Sequence, residues 1–467
     1  MTTRPTNTDA EIELSPDLVR RYDRPGPRYT SYPTVPAWRD DFGSDEYAAA
    51  LSAAATAVND PLALYVHIPF CHERCAFCGC NVIISKREGV EDVYLGYIAK
   101  ETERVAQRLG DRRTISQMHW GGGTPTFLRP DLLRELKSII GRHFTFSDDA
   151  EIAIEVDPRA TTMDHVHTLR ELGFNRVSMG VQDLSPEVQC EIHRNQTELQ
   201  TRTMVEGCRE AGFTSVNIDL VYGLPAQTDA SWVDTIDKII ALAPDRLAIY
   251  SYAHLPEKMH NQRRIDATKL PTGPEKLALL ITARQKLLAA GYSAIGMDHF
   301  VLPHDEMFEA MRNRRLHRNF MGYTVVNAPE MIGLGVSAIG EVGGVFAQNE
   351  KKLSTYYQAI DNGTFATSSG CVMTQDDRIR AWVIRQFTCN MCLDTDELTR
   401  RFGVVYDEYF RAEEQAMSAY YEEGFAKRDG ALIVALPLGR VFVRNLAMVF
   451  DAYLPETQQR VKFSRTV

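Results

Sequence analysis

The chain is 467 residues long, 44% hydrophobic and 24% charged, with 62 acidic against 52 basic residues and a formal net charge of −10. That length exceeds one ordinary core and predicts two or three domains, and the acidic balance argues against a nucleic-acid binder held by a general basic field. Mean hydropathy is −0.26. Runs such as "IGLGVSAIG" and "ALIVALPLG" are far shorter than the roughly 20 apolar residues that span a bilayer. The stretch "MTTRPTNTDAEIELSPDLVR" has no signal-peptide apolar core. The expectation is a cytoplasmic protein whose thiols stay reduced, and its nine cysteines, an odd number, cannot all pair.

Residues 1–40 are rich in Pro, Arg, Thr and Tyr, as in "RRYDRPGPRYTSYPT". Four prolines between Pro25 and Pro36 forbid a long helix. Tyr22, Tyr29 and Tyr32 fit an extended arm packed over another surface better than a disordered tail. From Pro61 a rhythm begins. Short β-branched or aromatic runs at 62–68, 115–120, 151–156, 176–181, 215–223 and 246–252 alternate with amphipathic stretches such as "RPDLLRELKSIIGRHF" and "TMDHVHTLRELGF". Six strand–helix units predict a parallel sheet, open or closed into a partial barrel by right-handed crossovers. "YSAIGMDHF" (292–300) predicts a further strand. From about 365 the pattern becomes helical with a short hairpin, which predicts a catalytic domain over 41–364 and a smaller, mostly helical domain over 365–467. Polar and Gly-rich signals cluster after the strands, where α/β sheets and barrels carry their chemistry.

The first of these signals is "HIPFCHERCAFCGCN" (67–81). Cys71, Cys75 and Cys78 are spaced C-x3-C-x2-C, and Cys80 follows. A reduced compartment weakens a disulfide reading. Structural zinc wants four ligands, usually as separated knuckles, and the next close pair, Cys389 and Cys392, lies more than 300 residues away in a helical pattern. A cubane iron–sulfur cluster usually takes four cysteines. Three leave one iron open to an outside ligand, where chemistry is possible. Cys80 is read as a non-ligand, because one residue separates it from Cys78 and the loop would have to reverse sharply. "HERC" is too polar for a buried apolar turn.

The motif C-x3-C-x-F-C, here Cys71, Cys75, Phe77 and Cys78, resembles the radical S-adenosylmethionine (SAM) superfamily. The resemblance implies a [4Fe–4S] cluster on three cysteines, SAM on the open iron, and one-electron cleavage of SAM to methionine and a 5′-deoxyadenosyl radical. It also implies a partial (β/α)6 barrel. Together with "WGGGTPTFL", "VSMGVQDL", "IDLVYGLPAQT", "LHRNFMGYT" and "RYDRPGPRYTSYPT", the motif looks more narrowly like the oxygen-independent coproporphyrinogen III oxidases. These segments run from residue 21 to 324. Haem chaperones and some haem-modifying enzymes share the barrel motifs but generally lack the arm and the "CGC" ending.

This narrower resemblance implies oxidative decarboxylation of two propionates of coproporphyrinogen III to vinyl groups, giving protoporphyrinogen IX without oxygen in anaerobic haem biosynthesis. It further implies two bound SAM molecules. An electron donor such as flavodoxin or ferredoxin and a monomer are the default expectations, and the acidic balance predicts no nucleic-acid partner. The N-terminal arm is expected over the active site as a lid. A haem carrier on the same fold and a radical SAM tetrapyrrole methyltransferase are the alternatives. A plain zinc-binding protein is a more distant one.

The remaining motifs are weaker alone. "GGGTP" (121–125) is a glycine turn that lets backbone approach a ligand, and the resemblance assigns Gly122, Gly123 and Thr124 to the SAM ammonium. Glu155, in "IEVDP", can accept bonds from ribose hydroxyls or an ammonium; otherwise it is a cap or a surface charge. Gln182 and Asp219, expected at the ends of strands four and five, are polar groups in nearly apolar strands and need partners. Arg194, in "IHRNQ", can pair with a carboxylate bidentately or lie on a solvated helix face. The resemblance places these around SAM and adds Tyr65, Phe77, Ala253 and Ile339 as contact positions. "MRNRRLHRNF" (311–320) concentrates positive charge, either on a solvated helix face or as a pocket for propionates. Arg20, Arg21, Arg24 and Arg28 of the arm are candidates to join it. Cys190, Cys208, Cys371, Cys389 and Cys392 read as small core residues. His67 and His72 read as supporting or surface groups rather than ligands.

Overall fold

The computed structural model describes residues 16–326, 328–461 and 463–466. The first fifteen residues of the expected arm lie outside the described residues. Contacts divide the chain into two units, one of Trp38–Pro271 with Val326–Met373, the other of Met1–Ala37 with Thr272–Val325 and Thr374–Val467. The expected 41–364 stretch is therefore interrupted. Residues 272–325 pack with the C-terminal helices, and the expected boundary at 365 moves to 374, because strand Thr367–Val372 completes a sheet of the first unit.

The first unit is built on parallel strands β1 (Leu62–Ile68), β2 (Thr114–Gly122), β3 (Thr145–Val156), β4 (Arg176–Gln182), β5 (Ser215–Tyr222) and β6 (Arg246–Ser251). They lie side by side in chain order. Helices α1 (Val90–Leu109), α2 (Pro130–Gly141), α3 (Met163–Glu171), α4 (Glu198–Glu210) and α5 (Asp229–Leu242) connect them. β1 is buried at six of its seven residues, the continuous apolar run of a strand covered on both faces. Threonine marks three helix starts. Thr162, Thr197 and Thr228 each accept a backbone N–H of the first turn, meeting donors the helix leaves unpaired. Strand β7 (Glu330–Leu334) pairs parallel to β1 on its other edge, Leu62 opposite Glu330. Antiparallel strands β8 (Ile339–Val342), β9 (Val345–Asn349) and β10 (Thr367–Val372) extend the sheet beyond β7. This is the partial (β/α)6 barrel with an antiparallel extension.

The second unit is mostly helical. Its apolar core joins Trp382, Val383 and Phe387 of α6 (Gln375–Asn390) to Phe410, Met417, Phe425, Phe442 and Phe450. The expected hairpin is present, and the strand Cys392–Asp394 adds to it, so Cys392 lies in a strand rather than a helix. Tyr22, Tyr29 and Tyr32 of the arm are buried in that same core. Tyr29 donates to Asp451 at 2.9 Å, Asn445 donates to the Tyr22 carbonyl at 2.8 Å, and Arg444 holds the Gly26 and Pro27 carbonyls. The strand expected at 292–300 is two short antiparallel strands, Ser293–Ile295 and His299–Val301, because Gly296 turns the chain in the left-handed region.

Of the cysteines read as core, Cys208, Cys389 and Cys392 are buried, Cys371 is partly exposed and Cys190 is exposed. Cys190 is exposed in the last turn of the short helix Pro186–Glu191. Among the described residues no helix is long and apolar enough to cross a membrane.

Candidate active site

The cysteine loop leaves β1 and crosses a cavity of about 210 Å³ at the strand ends of the first unit. Cys71, Cys75, Cys78, Phe77, Gly122, Gly123, Thr124, Glu155, Gln182, Arg194 and Asp219 all line it. Eleven of the fourteen residues expected at the site therefore meet at one cavity. Tyr65, Ala253 and Ile339 do not line it. Tyr65 donates toward His67 Nδ1 at 3.1 Å and stacks on His119. The Ala253 carbonyl accepts from Gln262 at 3.2 Å. Ile339 opens β8 opposite Gln348.

The residues between the cysteines fix the loop. Ala76 is fully buried and packs with Val188, Ile192, Val221, Leu224, Tyr252 and Ile265, and Phe77 rests on the same group. Burying such side chains stabilises by about 2 kcal/mol each for the larger ones, so "AF" acts as an apolar plug that seats the thiols above it. Cys71 Sγ lies 3.3 Å from Thr124 Oγ1, and burial pushes its thiol up to about 11. A hydrogen bond from the Cys80 thiol pulls Cys78 down to about 6, while Cys78 raises Cys80. The Cys80 backbone N–H also donates to Cys78 Sγ at 3.4 Å.

Two guanidiniums approach Cys75 Sγ, Arg159 at 3.5 Å and Arg194 at 3.6 Å. Arg194 is 6% exposed, so the solvated-face reading is wrong, and it sits in the turn after Pro186–Glu191 rather than on a helix. It donates to the Gly180 carbonyl at 2.5 Å and to Gln196 at 3.0 Å, and lies 3.5 Å from Asp157. Gly180 has no side chain because a Cβ there would meet Gln182 Nε2 at 2.6 Å and Arg194 at 3.2 Å. Burial raises Asp157, but the charges of Arg194 and Arg159 and the Arg159 hydrogen bond outweigh it and hold the carboxyl below its usual range.

Glu155, also on the cavity wall, accepts the Gly122 N–H at 3.0 Å and faces His119 Nε2 at 3.3 Å. Burial raises this carboxyl too. The His119 hydrogen bond and charge and the Gly122 N–H prevail and lower it, so it is ionised at neutral pH. Gly122 has φ +116°, and a Cβ there would strike the His67 ring at 2.6 Å. Gln182 has φ +71°, at a bulge where β4 slips against β5. A strained residue at a site edge marks a side chain aimed by its surroundings. Asp219 sits mid-strand rather than at the end of β5, with Ser178 donating at 3.2 Å and Asn217 at 2.7 Å.

Sequence reasoning missed Asp157 and Arg159, although "EVDP" was in view, and it missed Ser178 and Asn217. Their inward alternation along β4 and β5 was the available signal.

The donor set fits an iron–sulfur cluster. Three thiols lie on one loop, cations offset their charge, and open cavity remains beside them. Among the described residues no three His, Cys, Asp or Glu side chains gather as they would around a single metal ion.

Residues 65–239 match the radical SAM superfamily model. The chain is 43% identical to the oxygen-independent coproporphyrinogen III oxidase of Pseudomonas aeruginosa, over 98% of this chain and 99% of that one. The chain belongs to the oxygen-independent coproporphyrinogen III oxidases. The enzyme of this name from Escherichia coli is 41% identical over 98% of this chain and 99% of its own. A solved structure of coproporphyrinogen III oxidase from Escherichia coli, titled a radical SAM enzyme, superposes with a TM-score of 0.89 at 40% identity, covering 95% of this chain and 99% of that one. Family membership brings the [4Fe–4S] cluster and SAM.

Proposed function

We propose that the chain converts coproporphyrinogen III to protoporphyrinogen IX without oxygen, turning two propionates into vinyl groups with loss of two carbon dioxides. The observation that carries this reading is the near-full-length likeness to oxidases of that name, together with three thiols, a glycine turn and the Glu155 carboxyl around one cavity. The haem-carrier and methyltransferase readings lose ground to the same likeness.

Cys71, Cys75 and Cys78 hold the cluster, and Arg159 and Arg194 offset the charge gathered at Cys75. When bound, the cluster with SAM would supply the one-electron chemistry that takes a hydrogen atom from the β-carbon of a propionate. The chain's own part is to bind, orient and keep water out. The backbone of Gly122 and Gly123 with Thr124 takes the SAM ammonium. Glu155 offers a carboxylate to an ammonium or a ribose, and Gln182, Asp219 and Arg194 bound the far side. Tyr65, Ala253 and Ile339 act behind or beside this cavity, and a second SAM belongs to the same reading. Phe77 and the apolar group under it exclude water beneath the loop. A small one-electron carrier reduces the cluster, and the enzyme works as a cytoplasmic monomer.

The test is an anaerobic assay of the iron–sulfur-reconstituted protein with SAM, a reductant and coproporphyrinogen III. Protoporphyrin fluorescence after oxidation, with 5′-deoxyadenosine formed alongside, is the expected result. SAM cleavage without protoporphyrin rejects the substrate. Stable haem binding with no SAM consumed favours a carrier.

A further inference from the structure

Five consecutive carbonyls of the cysteine loop are held by side chains of one short turn, the 3-10 helix His260–Arg264. Arg264 Nη1 donates to the Arg74 carbonyl at 3.2 Å. The two N–H groups of Asn261 Nδ2 are shared among those of Cys75, Ala76 and Cys78, at 3.2, 3.0 and 2.9 Å. Gln262 Nε2 donates to that of Phe77 at 3.1 Å. The turn comes about 185 residues after the loop in the chain.

Asn261 and Gln262 are 8% and 3% exposed. Asn261 Oδ1 is buried with no hydrogen-bond partner among the described residues. The amide orientation follows, since a flip would set its oxygen against three carbonyls. Gln262 is itself anchored, its Oε1 accepting the Leu255 N–H at 2.6 Å. Ile265, the next residue beyond the turn, is buried in the apolar group that seats Ala76. The turn and the loop therefore share one core, and the amides finish the loop's backbone accounting.

Hydrogen bonds from the turn thus hold all five carbonyls. Fixing a backbone costs conformational entropy at every residue, and these bonds offset part of that cost within the fold.

We propose that Asn261 and Gln262, with Arg264, are positioning residues that preform the cysteine loop and govern how tightly its cluster is kept. The inference rests on the cluster reading above. It extends it to residues with no ligand atom of their own, acting through the carbonyls behind the thiols.

The experiment uses the full chain, reconstituted anaerobically with iron and sulfide. Visible absorbance follows loss of the cluster to an iron chelator, and thermal unfolding of the metal-free protein reports the fold. Asn261→Asp keeps the shape and replaces the donor by an oxygen that repels all three carbonyls. It is expected to lose the cluster on the order of tenfold faster, as removal of outer-shell support does at metal sites, and to melt lower without metal because the loop loses its ties. Asn261→Ala is expected to fall between Asn261→Asp and the wild type. Exposed Arg264→Ala, which gives up one carbonyl, is expected to lose it about threefold faster, and it carries the test if the buried variants do not fold. Wild-type retention in Asn261→Asp or, where that variant does not fold, in Arg264→Ala overturns the proposal while leaving the cluster reading intact. A wild-type chain that takes up no cluster overturns both.

Discussion

The strand-end cavity and the segment Glu306–Thr324 both concentrate arginine in an acidic chain, and they use it in opposite ways. At the cavity, Arg194 is buried and its donors are shared among the Gly180 carbonyl, Gln196 and Cys75 Sγ. In the other segment, Arg312, Arg314 and Arg315 are exposed. There Arg314 lies 3.6 Å from Asp394 and Arg312 rests over the Phe308 ring at 5.6 Å. The expected basic helix face is also broken, because the helix Glu306–Arg312 ends and Arg314 takes φ +56°. A buried guanidinium with several partners sets geometry. An exposed one contributes charge, which water and salt screen.

Replacement at the cavity should have the largest effects. Cys78→Ser should abolish the brown colour and SAM cleavage together, whereas Cys80→Ser should leave iron per chain unchanged. Equal iron loss in both would make Cys80 a ligand. Deleting residues 1–34 should next abolish turnover but spare the cluster, and full activity in the truncated chain would refute the lid. It also removes three tyrosines from the second unit's core, so melting temperature should be read alongside.

Arg194→Lys keeps the charge and loses the planar fork, so a drop of about 10- to 100-fold in turnover is expected. Near-wild-type rates would reduce Arg194 to a point charge and erase the contrast drawn above.

A smaller effect belongs to Asp298. Burial raises this carboxyl, but the His299 hydrogen bond and charge, with Arg318 and Arg28, hold it at about 2, below its ordinary 3.8. Its folded value is depressed, so its stabilisation is present above the unfolded value and is lost as pH falls through the folded one. Asp298→Asn should therefore cost about 2 kcal/mol at neutral pH, with the difference from wild type vanishing near pH 2 in urea melts. The smallest effect is expected for Arg312, Arg314 and Arg315 replaced together by Gln. The Michaelis constant for coproporphyrinogen III should rise a few-fold, more at low salt, and unchanged kinetics would sink the pocket.

Local pattern determined much of this protein. Six apolar runs became the six strands β1–β6 within a residue or two, except that β3 begins six residues early, because burial on both faces selects such runs wherever they lie. The thiol spacing and the glycine turn were legible for the same reason. A loop between a strand and a helix has few ways to run, so its spacing is already geometry.

Tertiary structure alone decided the rest. That β7 returns beside β1, that residues 272–325 leave the barrel unit, and that Asn261 and Gln262 grip a loop some 185 residues earlier depend on contacts between distant segments. No local period records such contacts. For Arg194 the sequence left a carboxylate partner and a solvated helix face both open, and only packing around Gly180 excluded the second.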